Sequence, residues 1–165
     1  MEDRPASIEL RRVEPGDVDL IYRWRNDPFL VARSSSQRTV DWIEHVKWFE
    51  ESLQSDHRIV MIVQKDRFPI GQVRFDRVDD RVCVISVYLC QEFTGRGYGV
   101  EAIRNGTEEI LRLWDVEQVI ACVRSDNAGG QSAFRKAGYV ETKLDANCPA
   151  QHRTFSFWQD RGSGR

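Results

Sequence analysis

The stretch VCVISVYLCQEFTGRGYGV, residues 82–100, joins a run of apolar, β-branched residues to a glycine-rich turn and then to helical spacing. This order predicts a buried strand, a tight turn and a helix. Glycine at positions 95, 97 and 99 allows positive φ and a close approach of the backbone to a ligand. Successive N–H groups and the positive end of the helix dipole would then face an anion such as phosphate. The alternative is a strand-to-helix turn that binds nothing.

Two known phosphate-binding loops compete with this interpretation. The Walker pattern GxxxxGK[ST] is absent from the sequence. The dinucleotide fingerprint G-x-G-x-x-A fits Gly97, Gly99 and Ala102, and Asp126 lies where the next strand should end. The chain after Gly99 is nevertheless too short for the remaining βαβ units of a doubly wound sheet.

The composition favours one globular domain, which we expect over residues 1–160, with a disordered tail over 161–165. Of the 165 residues, 41% are hydrophobic, and 24 basic against 26 acidic side chains give a formal net charge of −2. This balance predicts no basic surface for nucleic acid or membranes. The N-terminus has no apolar stretch typical of a signal peptide, and no run approaches the length of a membrane span. We therefore expect a cytoplasmic protein, either a monomer or a homodimer.

The cysteines are scattered and form no CxxC pair, and no His, Cys or Asp spacing suggests a metal site. The sequence therefore predicts reduced cysteines that serve packing, at Cys83, Cys90, Cys122 and Cys148.

Hydrophobic periodicity predicts an α/β fold with helices and strands in one mixed sheet. Strands at 58–64, 70–78 and 82–89 are joined by short turns, which implies an antiparallel meander. A helix over 100–114 and a strand over 116–123 follow, so the strands on either side of that helix should be parallel. Earlier helices are expected after Asp17 and after Thr39, with a polar loop over 29–38 between them, and a later helix is expected over 128–137.

The glycine loop and two later features together resemble the GCN5-related N-acetyltransferase (GNAT) superfamily. Its hallmark is a strand followed by [QR]-x-x-G-x-[GA], a helix, a strand and an Asn-capped helix that ends in a Gly-aromatic pair. This chain has TGRGYG over residues 94–99, then Asn127, and then Gly138-Tyr139. The resemblance covers about residues 8–158. It implies the GNAT fold, with a mostly antiparallel sheet of six to seven strands and about four helices, and acetyl-CoA as the acetyl donor without a metal.

The resemblance also implies where acetyl-CoA binds. Its pyrophosphate is expected on the backbone amides of Gly95–Val100, and its pantetheine arm is expected to pair with Val87–Leu89, where the two parallel strands splay apart. Asn127 matches a residue that contacts this arm. The implied donor-binding residues are Val87, Leu89, Thr94, Gly95, Arg96, Gly97, Tyr98, Gly99, Val100, Asn127, Ser132 and Phe134.

Two departures from the family pattern affect the chemistry. Thr94 stands where the pattern has Gln or Arg, and Phe134 stands where many members carry a Tyr that protonates the leaving thiolate. Phenylalanine cannot donate a proton, so Ser132 and Tyr139 are the candidates for a general acid.

The general base is open, because the central strand has Val84 and Ser86 where a carboxylate would be sought. His45 has a pKa suited to this role, and it shares a strip of the predicted helix with Trp48, off the apolar face. A solvated histidine without a catalytic role is the alternative. The other candidates for the base are Asp41, Glu44 and Asp76.

The segment WRNDP at 24–28 and the pair His45-x-x-Trp48 are similar to the bacterial GNAT branch that acetylates ribosomal-protein N-termini and nucleotide-linked amino sugars. The second group is the better match, which implies a small-molecule acceptor such as a UDP-linked 4-amino sugar. Tryptophan rings can stack on a sugar or uracil, and arginines can bind a diphosphate, although core packing explains Trp24 and Trp42 at least as well. The implied acceptor residues are Trp24, Arg25, Asn26, Arg33, Trp48 and Asp76.

Other acceptors and a role without catalysis are alternatives. A peptide N-terminus or an aminoglycoside is cationic and favours clustered carboxylates, whereas residues 23–38 carry arginines at 23, 25, 33 and 38 against Asp27 alone. A non-catalytic acetyl-CoA-binding domain would explain both Phe134 and the missing acidic base.

Overall fold

The computed structural model describes residues 7–160 and 162, so the predicted tail lies outside the described residues except for Gly162. Seven strands are present in this part of the chain: β1 (Ile8–Arg12), β2 (Arg58–Lys65), β3 (Phe68–Arg77), β4 (Val82–Leu89), β5 (Gln118–Arg124), β6 (Val140–Thr142) and β7 (His152–Trp158). Its five α-helices are α1 (Val18–Arg25), α2 (Pro28–Arg33), α3 (Trp42–Gln54), α4 (Tyr98–Leu113) and α5 (Ala128–Lys136). None of these helices is long and apolar enough to cross a membrane.

The strands form one sheet in the order β1-β2-β3-β4-β5-β7-β6. Every neighbouring pair is antiparallel except β4 and β5, which are parallel because α4 crosses over between them. The predicted mixed sheet and its single parallel pair are therefore confirmed.

The segment predicted as a polar loop between the first two helices contains α2. Pro28 explains both its start and the end of α1, since proline disfavours helical φ and ψ at the preceding residue but is well suited to the first turn of a helix. Asp27 caps α2 through its side chain, which accepts a hydrogen bond from the Leu30 N–H. The cap of α3 also differs from the prediction, because Asp41 rather than Thr39 accepts from the Glu44 N–H.

The helices divide between the two faces of the sheet. Side chains of α4 and α5 pack on one face in the larger hydrophobic core, which includes Ile103, Ile110 and Phe134. Side chains of α1, α2 and α3 pack on the other face in a smaller core around Ile21 and Phe49. Because side chains alternate along a strand, each strand sends one set of residues into each layer.

Pairing between β4 and β5 is limited to their first halves. It runs from Val82 opposite Gln118 to Ile85 opposite Ala121, although β4 continues to Leu89 and β5 to Arg124. Beyond the last pair the two strands diverge, as predicted. The resulting gap has residues 86–89 on one side and residues 122–124 on the other.

Helix α4 lies unusually close to the sheet at Gly106. A Cβ added there would be 3.1 Å from Val73 Cγ1 and 3.3 Å from Phe75 Cζ. This contact fixes the height of the helix above β3 and thereby the position of its N-terminus at the end of β4.

The prediction of four reduced cysteines is wrong for two of them. Cys122 and Cys148 form a disulfide, with 5.3 Å between their Cα atoms, whereas Cys83 and Cys90 are free. Cys122 pairs with Thr154 across β5 and β7, and the Thr154 hydroxyl accepts from the Asp145 N–H. The turn that carries Cys148 is thereby folded back over β5, a proximity that sequence spacing does not reveal.

Candidate active site

The glycine loop has the backbone conformation that its sequence predicts at two of three positions. Gly95 has φ of 72° and Gly97 has φ of 84°, both in the left-handed region. Gly99 does not, because it already lies in the first turn of α4, so the expectation of positive φ there was wrong. Thr94 closes the preceding turn by donating from its hydroxyl to the Gln91 carbonyl at 2.7 Å.

The backbone N–H groups from Gly95 to Val100 have no acceptor among the described residues, and the first one bonded within the helix is that of Glu101, which donates to the Gly97 carbonyl at 3.2 Å. Arg96 is exposed on the same loop. A series of unpaired amides at a helix N-terminus, with a cation beside it, is suited to a phosphate or diphosphate.

The loop adjoins the open end of β4. A Cβ added at Gly99 would lie 3.7 Å from Leu89 Cδ1, so the first turn of α4 rests on the last residue of the strand. Val87 is half-buried, and neither Val87 nor Leu89 is paired with β5. An amide-bearing ligand bound on the loop can therefore continue along the free edge of β4.

Asn127 lies on the opposite side of the gap, just beyond β5, and caps α5 as predicted. Its Oδ1 accepts from the Gly130 N–H at 3.0 Å. A glycine within a helix can indicate that a ligand passes close to its backbone, but a Cβ at Gly130 would meet Asn127 Nδ2 at 2.7 Å and Val123 Cγ1 at 3.1 Å. The cap itself and β5 therefore account for this glycine.

The two candidates for the general acid lie in different environments. Tyr139 is 3% exposed, its hydroxyl is 2.7 Å from Thr107 Oγ1 in the larger core, and burial raises its pKa. This position argues against Tyr139 as a proton donor to the thiolate. Ser132 is half-buried on α5, and its hydroxyl has no hydrogen-bond partner among the described residues. Phe134 packs edge-on against Tyr139, with 5.1 Å between ring centroids, and is 7% exposed.

His45 is a buried residue and not the solvated one considered as an alternative. Its side chain is 0% exposed, its Nε2 is 2.8 Å from the Val18 carbonyl oxygen, and its Nδ1 is 3.2 Å from Arg25 Nη1. Burial lowers its pKa, and the nearby Arg25 charge lowers it further. Because both ring nitrogens are occupied, the structure argues against His45 as the base that deprotonates an amine.

The remaining candidates for the base are also engaged or exposed. Asp41 caps α3, and Glu44 is exposed in its first turn. Asp76 accepts from Arg58 Nε at 2.6 Å and from Arg74 Nε at 2.7 Å. Asp76, Arg58 and Arg74 lie on the face of the sheet that α3 covers, and the sequence did not point to either arginine. Both alternate with apolar neighbours in β2 and β3, but this alternation identifies a site only when the register of the strands is known.

Three arginines surround the Trp48 side chain. The guanidinium carbons of Arg25, Arg58 and Arg74 lie 4.4, 5.3 and 5.9 Å from the centroid of its ring. We call Arg25, Arg58, Arg74 and Trp48 the arginine cluster. Among the described residues, Asp76 is the carboxylate that forms ion pairs with the cluster, so three arginines face one paired carboxylate. Arg74 also reaches Ser86 on β4, with Nη2 to Oγ at 3.5 Å.

The structure separates the other predicted acceptor residues from this cluster. Trp24 is 7% exposed and packs edge-on against Tyr88 in the smaller core. Asn26 holds the segment before α3, since its Oδ1 accepts from the Val40 N–H at 2.8 Å. Arg33 stacks on Phe29, 3.6 Å from the ring centroid. Of the six predicted residues, Arg25, Trp48 and Asp76 come together, and Trp24 and Asn26 serve the fold.

No group of three or more His, Cys, Asp or Glu residues in the described part of the chain could hold a metal ion. The site instead combines backbone amides that can bind an anion, a free strand edge, and the positively charged arginine cluster on the face of the sheet that α3 covers.

The family model for the acetyltransferase (GNAT) domain matches residues 7–140. The chain belongs to the GNAT acetyltransferase family. This enzyme is therefore an N-acetyltransferase, and acetyl-CoA is its donor.

Solved structures of other acetyltransferases share the fold of this GNAT enzyme. Spermidine N-acetyltransferase from Vibrio cholerae, in complex with CoA and spermine, is 15% identical with a TM-score of 0.79, and the alignment covers 92% of this chain and 95% of that one. An aminoglycoside acetyltransferase, AAC(6')-Ib, in complex with coenzyme A and kanamycin, is 17% identical with a TM-score of 0.80, over 93% and 95% of the two chains.

RimL, a ribosomal L7/L12 alpha-N-protein acetyltransferase in complex with coenzyme A, is 15% identical with a TM-score of 0.78, over 94% of this chain and 97% of that one. A search of curated proteins found no match for the sequence. At such low identity these likenesses concern the fold of the GNAT enzyme and leave its acceptor open.

Proposed function

We propose that this acetyltransferase transfers the acetyl group of acetyl-CoA to the primary amine of a nucleotide-linked amino sugar. The donor's pyrophosphate lies on the amides of Gly95–Val100, its pantetheine arm follows Val87–Leu89, and Asn127 faces the arm from the β5 side. The unpaired amides and the unpaired strand edge support this placement, since each group of the donor then meets the complementary group of the protein.

The observation that carries the acceptor class is the excess of positive charge around Trp48. A nucleotide sugar supplies a diphosphate for the guanidinium groups and a flat base for an aromatic ring. Polyamines, aminoglycosides and peptide N-termini are cationic, and three arginines with one shared carboxylate would repel them. Two of the enzymes with this fold hold CoA together with a small amine, which supports a small-molecule acceptor here.

The reaction requires an uncharged amine to attack the thioester carbonyl, a donor to the carbonyl oxygen, and a proton for the CoA thiolate. A backbone N–H on the free edge of β4 is suited to the second task. The hydroxyl of Ser132 is the remaining candidate for the third, because Tyr139 is occupied in the core. Asp76 is held by two arginines, so we assign the deprotonation of the amine to solvent rather than to this carboxylate.

The test is a thiol-release assay with the purified protein, acetyl-CoA and four amines: a UDP-linked 4-amino sugar, spermine, kanamycin and a peptide. We expect kcat/KM for the UDP-linked sugar to exceed the others at least about tenfold, which corresponds to about 1.4 kcal/mol in the transition state. A higher kcat/KM for spermine or kanamycin would refute the proposal that the acceptor is a nucleotide-linked amino sugar. Binding of CoA without thiol release from any amine would favour the non-catalytic alternative.

A further inference from the structure

Among the described residues, one arginine of the arginine cluster forms no ion pair with a carboxylate. We propose that Arg25 binds the anionic group of the acceptor, and that His45 is a positioning residue that holds Arg25 in place for this task. The inference rests on the proposed function, because it concerns the acceptor side of the same site.

The hydrogen bonds of His45 fix its protonation state. The Val18 carbonyl can only accept, so the hydrogen of the imidazole is on Nε2, 2.8 Å from that oxygen. The Arg25 guanidinium can only donate, so Nδ1 carries a lone pair, 3.2 Å from Arg25 Nη1. His45 is therefore a neutral imidazole of one defined tautomer, which accepts a hydrogen bond from a charged arginine.

Arg25 differs from the other two arginines of the cluster in its partners. Arg58 and Arg74 each donate from Nε to Asp76 and from a second nitrogen to a serine hydroxyl. Arg25 has one hydrogen bond within the described residues, the one to His45, and no carboxylate within 4.0 Å. Burial lowers its pKa and the charge of Arg74 lowers it further, while Glu44 raises it from beyond ion-pair distance, so on balance the local environment opposes the charge.

The contacts of Arg25 leave most of its donors available. The Arg25 guanidinium lies over the Trp48 ring, with 4.4 Å from its carbon to the ring centroid, and His45 holds one of its nitrogens. A guanidinium is planar and presents its N–H groups along its edge, so the remaining ones can bind a carboxylate or phosphate through two hydrogen bonds. Arg58 and Arg74 add positive charge beside it. The chemical class that fits is an amine whose carrier bears a phosphate, a diphosphate or a carboxylate.

Binding can be measured apart from turnover. Calorimetry with UDP and with inorganic diphosphate, on protein saturated with CoA so that the α4 loop is occupied, reports the acceptor side alone. We expect Arg25→Gln to weaken the binding of UDP about 10- to 100-fold, because the variant loses the hydrogen bonds of one charged donor. Arg23→Gln, on the exposed side of the same helix, is the matched control and should leave the affinity within about twofold.

The role of His45 is tested with two variants. His45→Phe keeps a ring but removes the acceptor of the Arg25 hydrogen bond, whereas His45→Asn retains an oxygen near the position of Nδ1. In turnover, we expect His45→Phe to raise KM for the UDP-linked sugar about tenfold with little change in kcat, and His45→Asn to restore part of the loss. KM for the same amino sugar without its nucleotide should stay the same in all variants.

The outcomes separate this inference from the proposed function. Failure of the CoA-saturated wild type to bind UDP or diphosphate would overturn the inference, as would equal affinities in wild type and Arg25→Gln. Equal changes in KM for the UDP-linked sugar and for the sugar without its nucleotide in His45→Phe would show that His45 has only a structural role. Absence of thiol release from any amine by the wild type, with UDP binding that depends on Arg25, would instead refute the proposed function.

Discussion

Replacement of Gly97 by aspartate should abolish coenzyme A binding without unfolding the enzyme. Gly97 has φ of 84°, and a Cβ added to it would meet no atom within 4 Å. The substitution therefore costs only the left-handed backbone conformation, about 1 kcal/mol, and less for aspartate, which tolerates this region better than most residues. A carboxylate at the N-terminus of α4 stabilises the folded variant by roughly 0.3–1 kcal/mol through the helix dipole.

The effect on the ligand is much larger. The added carboxylate would stand in front of the amides that we assign to the pyrophosphate. Two like charges about 4 Å apart repel by about 4 kcal/mol at the effective dielectric of a protein surface. Because about 1.4 kcal/mol corresponds to a factor of ten, the dissociation constant for CoA should rise about 700-fold.

Isothermal calorimetry with CoA measures this change, and the melting temperature reports the fold. Gly97→Asn is the matched control, because asparagine has nearly the same shape and tolerance of positive φ but no charge. We expect its affinity for CoA to lie between those of the wild type and Gly97→Asp. An aspartate variant that binds CoA within about threefold of the wild type, at an unchanged melting temperature, would refute the assignment of the loop.

Three further predictions concern the fold that supports the site. Burial lowers the pKa of His45 and His152, so the stability they contribute is complete above the ordinary imidazole pKa of about 6.5 and is lost as the pH falls below it. Urea unfolding at pH 7.5 and 5.5 should show this loss, with a slope of up to about 1.4 kcal/mol per pH unit for each histidine. Gly71→Ala should lower the free energy of unfolding by about 1–3 kcal/mol, because the added Cβ would collide with the Tyr88 carbonyl; an unchanged denaturation midpoint would contradict this packing. Asn127→Ala should cost about 1 kcal/mol through loss of the α5 cap, whereas Asn127→Ser should cost only a fraction of that in the same assay.

The backbone structure of the proposed donor side could be predicted because its signals are local. The apolar run, the glycines and the helical spacing of residues 82–100 follow one another in the chain, and each determines backbone structure over a few residues. The cap at Asn127 is equally local, and the parallel pair follows from the intervening helix. Gly99 shows the limit of such reasoning, since a glycine pattern does not reveal at which residue the helix begins.

The arrangement of the proposed acceptor side could not be predicted, because it depends on which surfaces of the helices and the sheet meet. The spacing of α3 favours a buried stripe that includes Trp42 and Leu53, yet these are 41% and 37% exposed while His45 and Ser52 are buried. The position of α1 across α3 determines this rotation, and no feature of α3 alone specifies it. The Cys122–Cys148 disulfide likewise depends on the register of β5 against β7, which brings together residues 26 positions apart in sequence.

The balance of charge around Trp48 connects the fold with the choice of acceptor. A half-buried guanidinium without a counter-ion is costly, and proteins normally pair it with a carboxylate. In this site Asp76 is shared between Arg58 and Arg74 and has no hydrogen bond to Arg25, so the packing that orients Arg25 does not neutralise it. An anionic acceptor would supply the missing charge, and the gain on binding would be greater because the fold has already oriented the donors. The same arrangement would oppose a polycation, so in the proposed function one arginine without an ion pair would contribute both to affinity and to discrimination.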